Sequence, residues 1–552
     1  QADMLSNQAL LSMAALLGTR IPEGTVDEIK GIHKNLLFYD EHTFGADRSI
    51  SDPTGLNTIL QFNCKTSYAW DAQKRSKMLF ETSGGLLQGN VRRDEVPTIT
   101  LFNPLAWRRD ALCDVFIDYE VIPAGGDFRI VDYEGTEIPA QAYASRSEGR
   151  YYRLYVKNMP SLGFRTFKVL PGKMADYGSE VTVRKDLLEN NYYKISIDTL
   201  KGCITSIYDK SAKRELVDRT NPWGLGRFIF EKLADRSILN KDGNTPLATV
   251  TGEGITRFAP ENMSVADISS GPLYSSIILA GQCEGLADPG LKIEIRLHNN
   301  APLIELAYTV RKNHDVNPVG LYVAFPFTGD KLRFDVQGGM VSPGENQIEG
   351  TASDWNTIQN FVSARDDNAQ TVLSSRDVPL VMLGKMLEGT YQYYKHYDHP
   401  HVYSWVMNNY WFTNFNADQS GEFTWQYTIT STGSTSDTDA LKFSMGDRVR
   451  LYGRVLPPAV SGSGRSSWSA FDVSDPDIVI TSVTPAAEDG CIILQARETS
   501  GKDIAKLELK DPSGKKIPFD IVNVLESPIK KNLTSLSLDP FGNVFVRIRI
   551  PE

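Results

Sequence analysis

The sequence predicts a mainly β, multi-domain protein that opens with an α-helical bundle. Three observations carry this. At 552 residues the chain is too long for one core, and its length gives roughly three to five domains. Apolar residues recur at helical spacing only before Val91. Beyond it the texture changes to short β-type runs separated by Gly, Pro, Asn and Asp.

The first helix is read from Leu5, Ala9, Leu10, Met13, Leu16 and Leu17, which fall on one helix face. Val26 to Phe38 repeats the pattern through Ile29, Ile32, Leu36 and Leu37. A third helix is expected from about Leu56 to Phe80, with Gly84-Gly85 punctuating its end. Together these form a three-helix domain over 1–92. The runs Thr98–Phe102, Asp114–Ile117, Phe128–Tyr133, Tyr151–Val156 and Arg165–Val169 predict a small β-sandwich over 93–175. Longer runs follow, among them Tyr193–Ile197, Ser275–Ala280, Lys292–His298, Leu303–Val310, Leu321–Phe327 and Glu422–Ser431. Too few helices lie between them for an α/β domain, so 176–450 reads as a large two-sheet sandwich. Ile478–Val483, Cys491–Ala496, Ala505–Leu509 and Val544–Ile550 mark a last β-sandwich over 451–552.

Composition excludes some partners. Hydrophobic residues make up 41% and charged residues 23%, ordinary for a soluble globular protein. The net charge is −10 without long runs of one sign, which argues against nucleic acid or an anionic membrane as partner. No apolar stretch approaches the ~18 residues that span a bilayer. The five cysteines are far apart, with no CxxC pair, and are expected to be buried, inert thiols. The start at Gln1 enters directly into a helical pattern and reads as a mature or trimmed start, which leaves the compartment open between cytoplasm and periplasm or secretion.

The common catalytic signatures are absent: no GxSxG elbow, P-loop, HExxH or GxGxxG between strand and helix. Two places stand out. Asp40-Glu41-His42 follows the second helix, and two carboxylates beside an imidazole can bind a cation or a hydroxyl-rich ligand; the bland reading is a solvated helix end. His396-Tyr397-Asp398-His399-Pro400-His401 packs three imidazoles into six residues. Zinc is one reading there, and a polar loop with a structural histidine is the other, since Pro400 signals a turn and alternate strand positions face opposite ways. Trp107, Trp355, Trp405, Trp411 and Trp425 are either sugar-stacking platforms or plain core. Gly338-Gly339 through Glu345-Asn346-Gln347 to Asp354-Trp355 is either a cleft-reaching stretch or a surface loop.

Read with segments downstream, the Asp40–His42 segment resembles glycoside hydrolase family 38, the retaining α-mannosidases. Asn35-Leu36-Leu37-Phe38-Tyr39-Asp40-Glu41-His42-Thr43-Phe44-Gly45-Ala46 looks like that family's helical middle domain. Phe102-Asn103-Pro104-Leu105-Ala106-Trp107 is similar to its NPLSW-type signature. Asn191-Tyr192-Tyr193-Lys194-Ile195 with Gly202-Cys203-Ile204-Thr205-Ser206-Ile207-Tyr208-Asp209-Lys210 looks like the start of its large sandwich. Ala324-Phe325-Pro326-Phe327, Asn408-Asn409-Tyr410-Trp411-Phe412-Thr413-Asn414-Phe415 and Pro485-Ala486-Ala487-Glu488-Asp489-Gly490 continue the pattern in order. The resemblance therefore covers the middle helical and C-terminal β domains, and implies that the large domain is a galactose-mutarotase-like β super-sandwich.

It also implies a zinc-dependent retaining mechanism on α-mannose-containing glycans, with an aspartate nucleophile and a second carboxyl as acid and base. In that family the zinc is held by three residues of a βα barrel, the nucleophile among them, and by one His of the middle domain. His42 best matches that last ligand, with Asp40 and Glu41 beside it as substrate or supporting contacts. The match to the family's commoner His-His-Asp version of this segment is loose, so the ligand is open by a residue or two. The barrel, typically ~250 residues, would precede Gln1, so no catalytic residue is assigned in this chain and its zinc site is incomplete. The expected partners are a mannose-containing glycan and the absent barrel, and homo-oligomerisation is left open. Two further readings stand beside this one. One is a stand-alone carbohydrate-binding or scaffolding protein of the same domains. The other is a different sugar-active enzyme centred on His396–His401.

Overall fold

A computed structural model describes residues 1–44, 46–238, 253–350, 355–386, 397–412, 414–460, 462 and 464–550. Three helices occupy the start: α1 Ala2–Leu16, α2 Thr25–Asp40 and α3 Leu56–Gln88. A fourth, α4 Asp437–Arg448, lies where the sequence suggests only β structure. Almost everything else ordered is antiparallel strand. The backbone separates into two compact units, Gln1–Leu37 with Ala69–Gly178 and Asp437–Glu552, and Phe38–Tyr68 with Ser179–Ser436. The division runs through α2 and α3.

In the first unit, α1 is buried all round rather than along one stripe. Met4 and Leu11 pack with Ile29 and Ile32 of α2 and Ala72 and Leu79 of α3. Ala9, Leu10, Met13 and Ala14 pack instead against Ile478, Ile480, Ile492 and Leu494 of the terminal sheet. A helix sandwiched in this way needs its polar residues satisfied, and buried Asn7 donates its Nδ2 to Ser76 O at 2.8 Å. Helix α3 runs through Gly84-Gly85 instead of ending there. The reason is steric: a Cβ on Gly84 would sit 2.5 Å from Tyr452 Oη, so this glycine admits a close neighbour rather than a turn. The strand Thr98–Asn103 lies between Gly163–Pro171 and Tyr452–Leu456, with Phe102 opposite Tyr452. Ile99, Leu101, Val115, Leu154 and Phe167 close a small core beneath it. The terminal sheet orders Ile478–Pro485, Cys491–Glu498, Asn543–Arg549, Phe519–Val522 and Pro528–Leu533.

The second unit is the large sandwich. Its nine-stranded sheet is centred on Leu286–His298, Ile304–Lys312 and Gly421–Thr432, and its six-stranded sheet on Arg227–Leu233, Val319–Pro326 and His401–Asn408. Phe228, Phe230, Val323 and Phe325 face the shared core with Ile293, Leu306, Tyr308 and Tyr427. The opposite face of the six-stranded sheet is covered too: Ile229, Tyr322, Ala324, Met382, Tyr403 and Trp405 form a second apolar layer with Tyr410. Hence every residue of Val319–Pro326 is buried, a continuous apolar run where a one-faced sheet would alternate.

Of the cysteines, Cys113, Cys203 and Cys491 are buried, Cys283 is half-buried, and Cys64 is exposed on α3, against the expectation for all five. Among the described residues no helix is long and apolar enough to cross a membrane.

Candidate functional site

The Asp40-Glu41-His42 segment sits where α2 ends, within the sandwich unit. A helix C-terminus leaves carbonyls unpaired and gathers negative potential. Lys65, on the facing turn of α3, answers both. Its ammonium donates to Phe38 O and Glu41 O at 2.8 Å each, and to Glu41 Oε2 at 3.2 Å. Its side chain is only 7% exposed, unusual for lysine, and it lies 5.3 Å above the Phe44 ring. Sequence reading misses Lys65, because nothing local marks a lysine that acts on carbonyls 24 and 27 positions away.

Glu41, anchored by Lys65, reaches His42: Oε1 lies 2.5 Å from His42 Nδ1 and accepts from Thr43 Oγ1 at 3.0 Å. Desolvation works to raise the Glu41 carboxyl, but the Thr43 and Lys65 hydrogen bonds prevail and hold it below the usual glutamate value. A carboxylate on Nδ1 places the proton there and leaves Nε2 as the lone-pair nitrogen. Among the described residues that nitrogen meets the Thr43 hydroxyl, at 3.3 Å, and the His42 side chain is 86% exposed. Asp40 is exposed. The three residues named from the sequence therefore share one exposed edge.

That edge is docked on a distant segment. Phe44 N–H donates to Asn414 O at 3.2 Å, and Ser49 Oγ donates to Phe415 O at 2.6 Å while accepting from Ala417 N–H at 3.2 Å. The sequence motifs around His42 and around Tyr410–Phe415 thus meet. Arg236 holds the latter in place, donating to Trp411 O at 2.9 Å and to the carbonyls of Asn409 and Val316. Trp411 and Phe412 emerge from it 39% and 51% exposed. Trp411 meets Trp355 edge to face at 5.7 Å, and Trp355 meets buried Trp405 at 5.8 Å. Trp425 is also core, whereas Trp107 is half-buried. Beneath this cluster Glu231 is fully buried yet satisfied, accepting from Tyr410 Oη at 2.6 Å and Arg257 Nε at 2.6 Å.

The histidine-rich segment behaves differently. His396 lies outside the described residues, as does Asp354. His399 is exposed, and its ring stacks on that of buried His401 at 4.9 Å. Asp218 completes the one group of three metal-capable side chains among the described residues. The hydrogen bonds oppose a metal. Trp223 N–H donates to Asn221 Oδ1 at 2.9 Å, which turns the Asn221 amide NH2 toward His401 Nδ1 and Tyr403 Oη. Nδ1 therefore accepts, and Nε2–H donates to Asp218 Oδ2 at 2.9 Å. Both ring nitrogens are committed. Burial holds His401 below the usual histidine value despite Asp218, as a neutral ring requires. This donor set does not fit a cation, and His401 is a structural histidine.

The sequence profile described as "Glycosyl hydrolases family 38 C-terminal domain" matches residues 188–378, within the large sandwich. Over those residues the chain is similar to the C-terminal domain of glycosyl hydrolase family 38. An α-mannosidase from Enterococcus faecalis V583 superposes on the whole chain with a TM-score of 0.74 at 14% identity, and 66% of that protein is covered. A family 38 glycosyl hydrolase from Enterococcus faecalis covers 98% of this chain at a TM-score of 0.72 and 13% identity, with 68% of its own length matched. At such identities the likeness is one of fold, and the chain spans about two-thirds of the length of these proteins. No curated protein matches the chain. The family 38 profile stops at 378, before Asn408–Phe415, so the docking of that motif on the His42 edge is seen only in the three-dimensional structure.

Proposed function

We propose that residues 1–552 are the C-terminal portion of a zinc-dependent, retaining α-mannosidase-like enzyme acting on α-mannose-containing glycans, its catalytic carboxylates lying outside this chain. One observation carries the reading. The exposed His42 edge is held by Lys65 and docked on the Trp411 segment of the sandwich unit, so a metal-capable imidazole and an aromatic surface are fixed together.

The residues present fit one corner of a zinc site. A neutral imidazole with Nδ1 on a carboxylate is the usual oriented zinc ligand, but structural and catalytic sites need three or four protein ligands. Among the described residues, the metal-capable group bonded to His42 is Glu41, and it is spent on Nδ1. When bound, zinc would grip sugar hydroxyls as a Lewis acid. This chain's own part is to present His42 Nε2, to keep the Nδ1 proton on Glu41, and to offer Trp411 and Phe412 as apolar surface for a pyranose face. The remaining zinc ligands, the nucleophile and the acid/base belong to a barrel domain that would be this chain's principal partner.

The test is a longer gene product reading upstream of Gln1. It should hydrolyse an aryl α-mannoside and retain zinc on dialysis, with the anomeric configuration kept. His42→Ala should cut zinc content, read by atomic absorption independently of turnover. Unchanged zinc occupancy in that variant would remove His42 from the site.

A further inference from the structure

We propose that the pocket between Trp468 and Lys531, in the terminal β region, binds an anionic saccharide: a pyranose carrying a carboxylate or phosphate. It does not depend on the mannosidase reading, since every residue involved belongs to the first unit.

The cavity encloses about 640 Å³, within the size range of small-ligand sites. Its floor is apolar, formed by Trp468, Ile517 and Phe519. Trp468 is half-buried, backed by Phe164 at 6.2 Å, and offers its other surface to the cavity, as a sugar's C–H face requires.

The rim is cationic in a chain whose net charge is −10. Five basic side chains line the cavity against the carboxylates of Asp511 and Asp520. Three of the five are already paired. Arg547 bonds Asp520 at 3.1 Å and Glu488 at 2.6 Å, Arg549 reaches Glu488 at 3.4 Å, and Lys516 bonds Glu508 at 2.8 Å. Asp511 spends Oδ1 on its own turn, accepting there from Ser513 N–H, Ser513 Oγ and Lys515 N–H. Lys515 and Lys531 are exposed ammonium groups, Lys531 with no salt bridge among the described residues and Lys515 with only the attraction of nearby Asp511. An excess of positive charge, five basic side chains against two carboxylates, over a lining of Trp468, Ile517 and Phe519 calls for a compact, ring-shaped anion rather than a neutral sugar or an acyl chain. The walls are pre-formed: Asp520 is fixed by Arg547 and by Asn532 N–H at 2.9 Å.

Calorimetry on the full chain tests this with four probes: a glucuronate-containing disaccharide, glucose 6-phosphate, cellobiose, and inorganic phosphate. At least one anionic sugar should bind ten-fold or more tightly than cellobiose and than phosphate alone, and which one does identifies the anion. The Lys515→Gln, Lys531→Gln double variant should weaken that binding at least ten-fold. Lys530→Gln, an exposed neighbour that does not line the cavity, should leave it unchanged. Both lysines are on the surface, so the double variant should keep the wild-type Tm. No binding by either anionic sugar at millimolar concentration would overturn the proposal. So would inorganic phosphate matching the sugar, an adventitious ion only, or an equal loss in Lys530→Gln.

Discussion

Two segments of the sandwich unit each set a histidine against a carboxylate, at 2.5 Å for His42–Glu41 and 2.9 Å for His401–Asp218. By sequence the His401 segment is the richer, with three histidines in six residues. In space the order reverses. His401 is buried and hydrogen-bonded at both nitrogens, by Asn221 and Asp218. His42 is exposed, held by Glu41 at one nitrogen and meeting the Thr43 hydroxyl at 3.3 Å at the other. A buried, saturated histidine stabilises a fold, whereas an exposed one with a long contact to a neighbouring hydroxyl can exchange it for a ligand. The number of histidines does not tell these apart.

Breaking the comparison should produce its largest effect at His401. His401→Ala takes one hydrogen-bond partner from each of Asp218 and Asn221, and should lower unfolding free energy by about 2–4 kcal/mol in urea titrations. The same loss in His42→Ala would abolish the contrast. The His401 contribution also carries a pH signature. Its folded pKa lies below the ordinary 6.5, so the unfolded chain binds more protons as pH falls below that value. Stability is fully present above about pH 6.5 and declines as pH drops toward the folded pKa, and His401→Gln should flatten that part of the profile.

Lys65→Met comes next. It keeps the buried stem but releases two carbonyls and Glu41. A loss of about 1–2 kcal/mol is expected, with hydrogen exchange rising at 38–44. The smallest effect is at His42→Ala itself, within ~0.5 kcal/mol, as for other exposed positions.

The strands and helices are largely legible because their periodicity is local. Leu303–Val310, for example, is observed as Ile304–Lys312. What stays hidden depends on tertiary neighbours. Gly84 reads as a helix stop until Tyr452 is seen against it. Helix α4 has its acidic first turn at Asp437 and Asp439 and Arg448 in its last, but it follows a long β run that masks these signals. At the candidate site, Asp40, Glu41 and His42 are evident from the motif. Lys65 and the docking on Asn414 and Phe415 are not, since they join positions far apart in sequence. The committed state of His401 rests on Asp218 and Asn221, 183 and 180 residues away, and no spacing rule reaches that far.

On the proposed reading, residues 1–552 do no glycoside chemistry by themselves. Purified residues 1–552, supplied with zinc and an aryl α-mannoside, should release product no faster than buffer, because the proposed nucleophile and acid/base are elsewhere. Hydrolysis that a chelator abolishes would contradict it and place a complete active site within these domains.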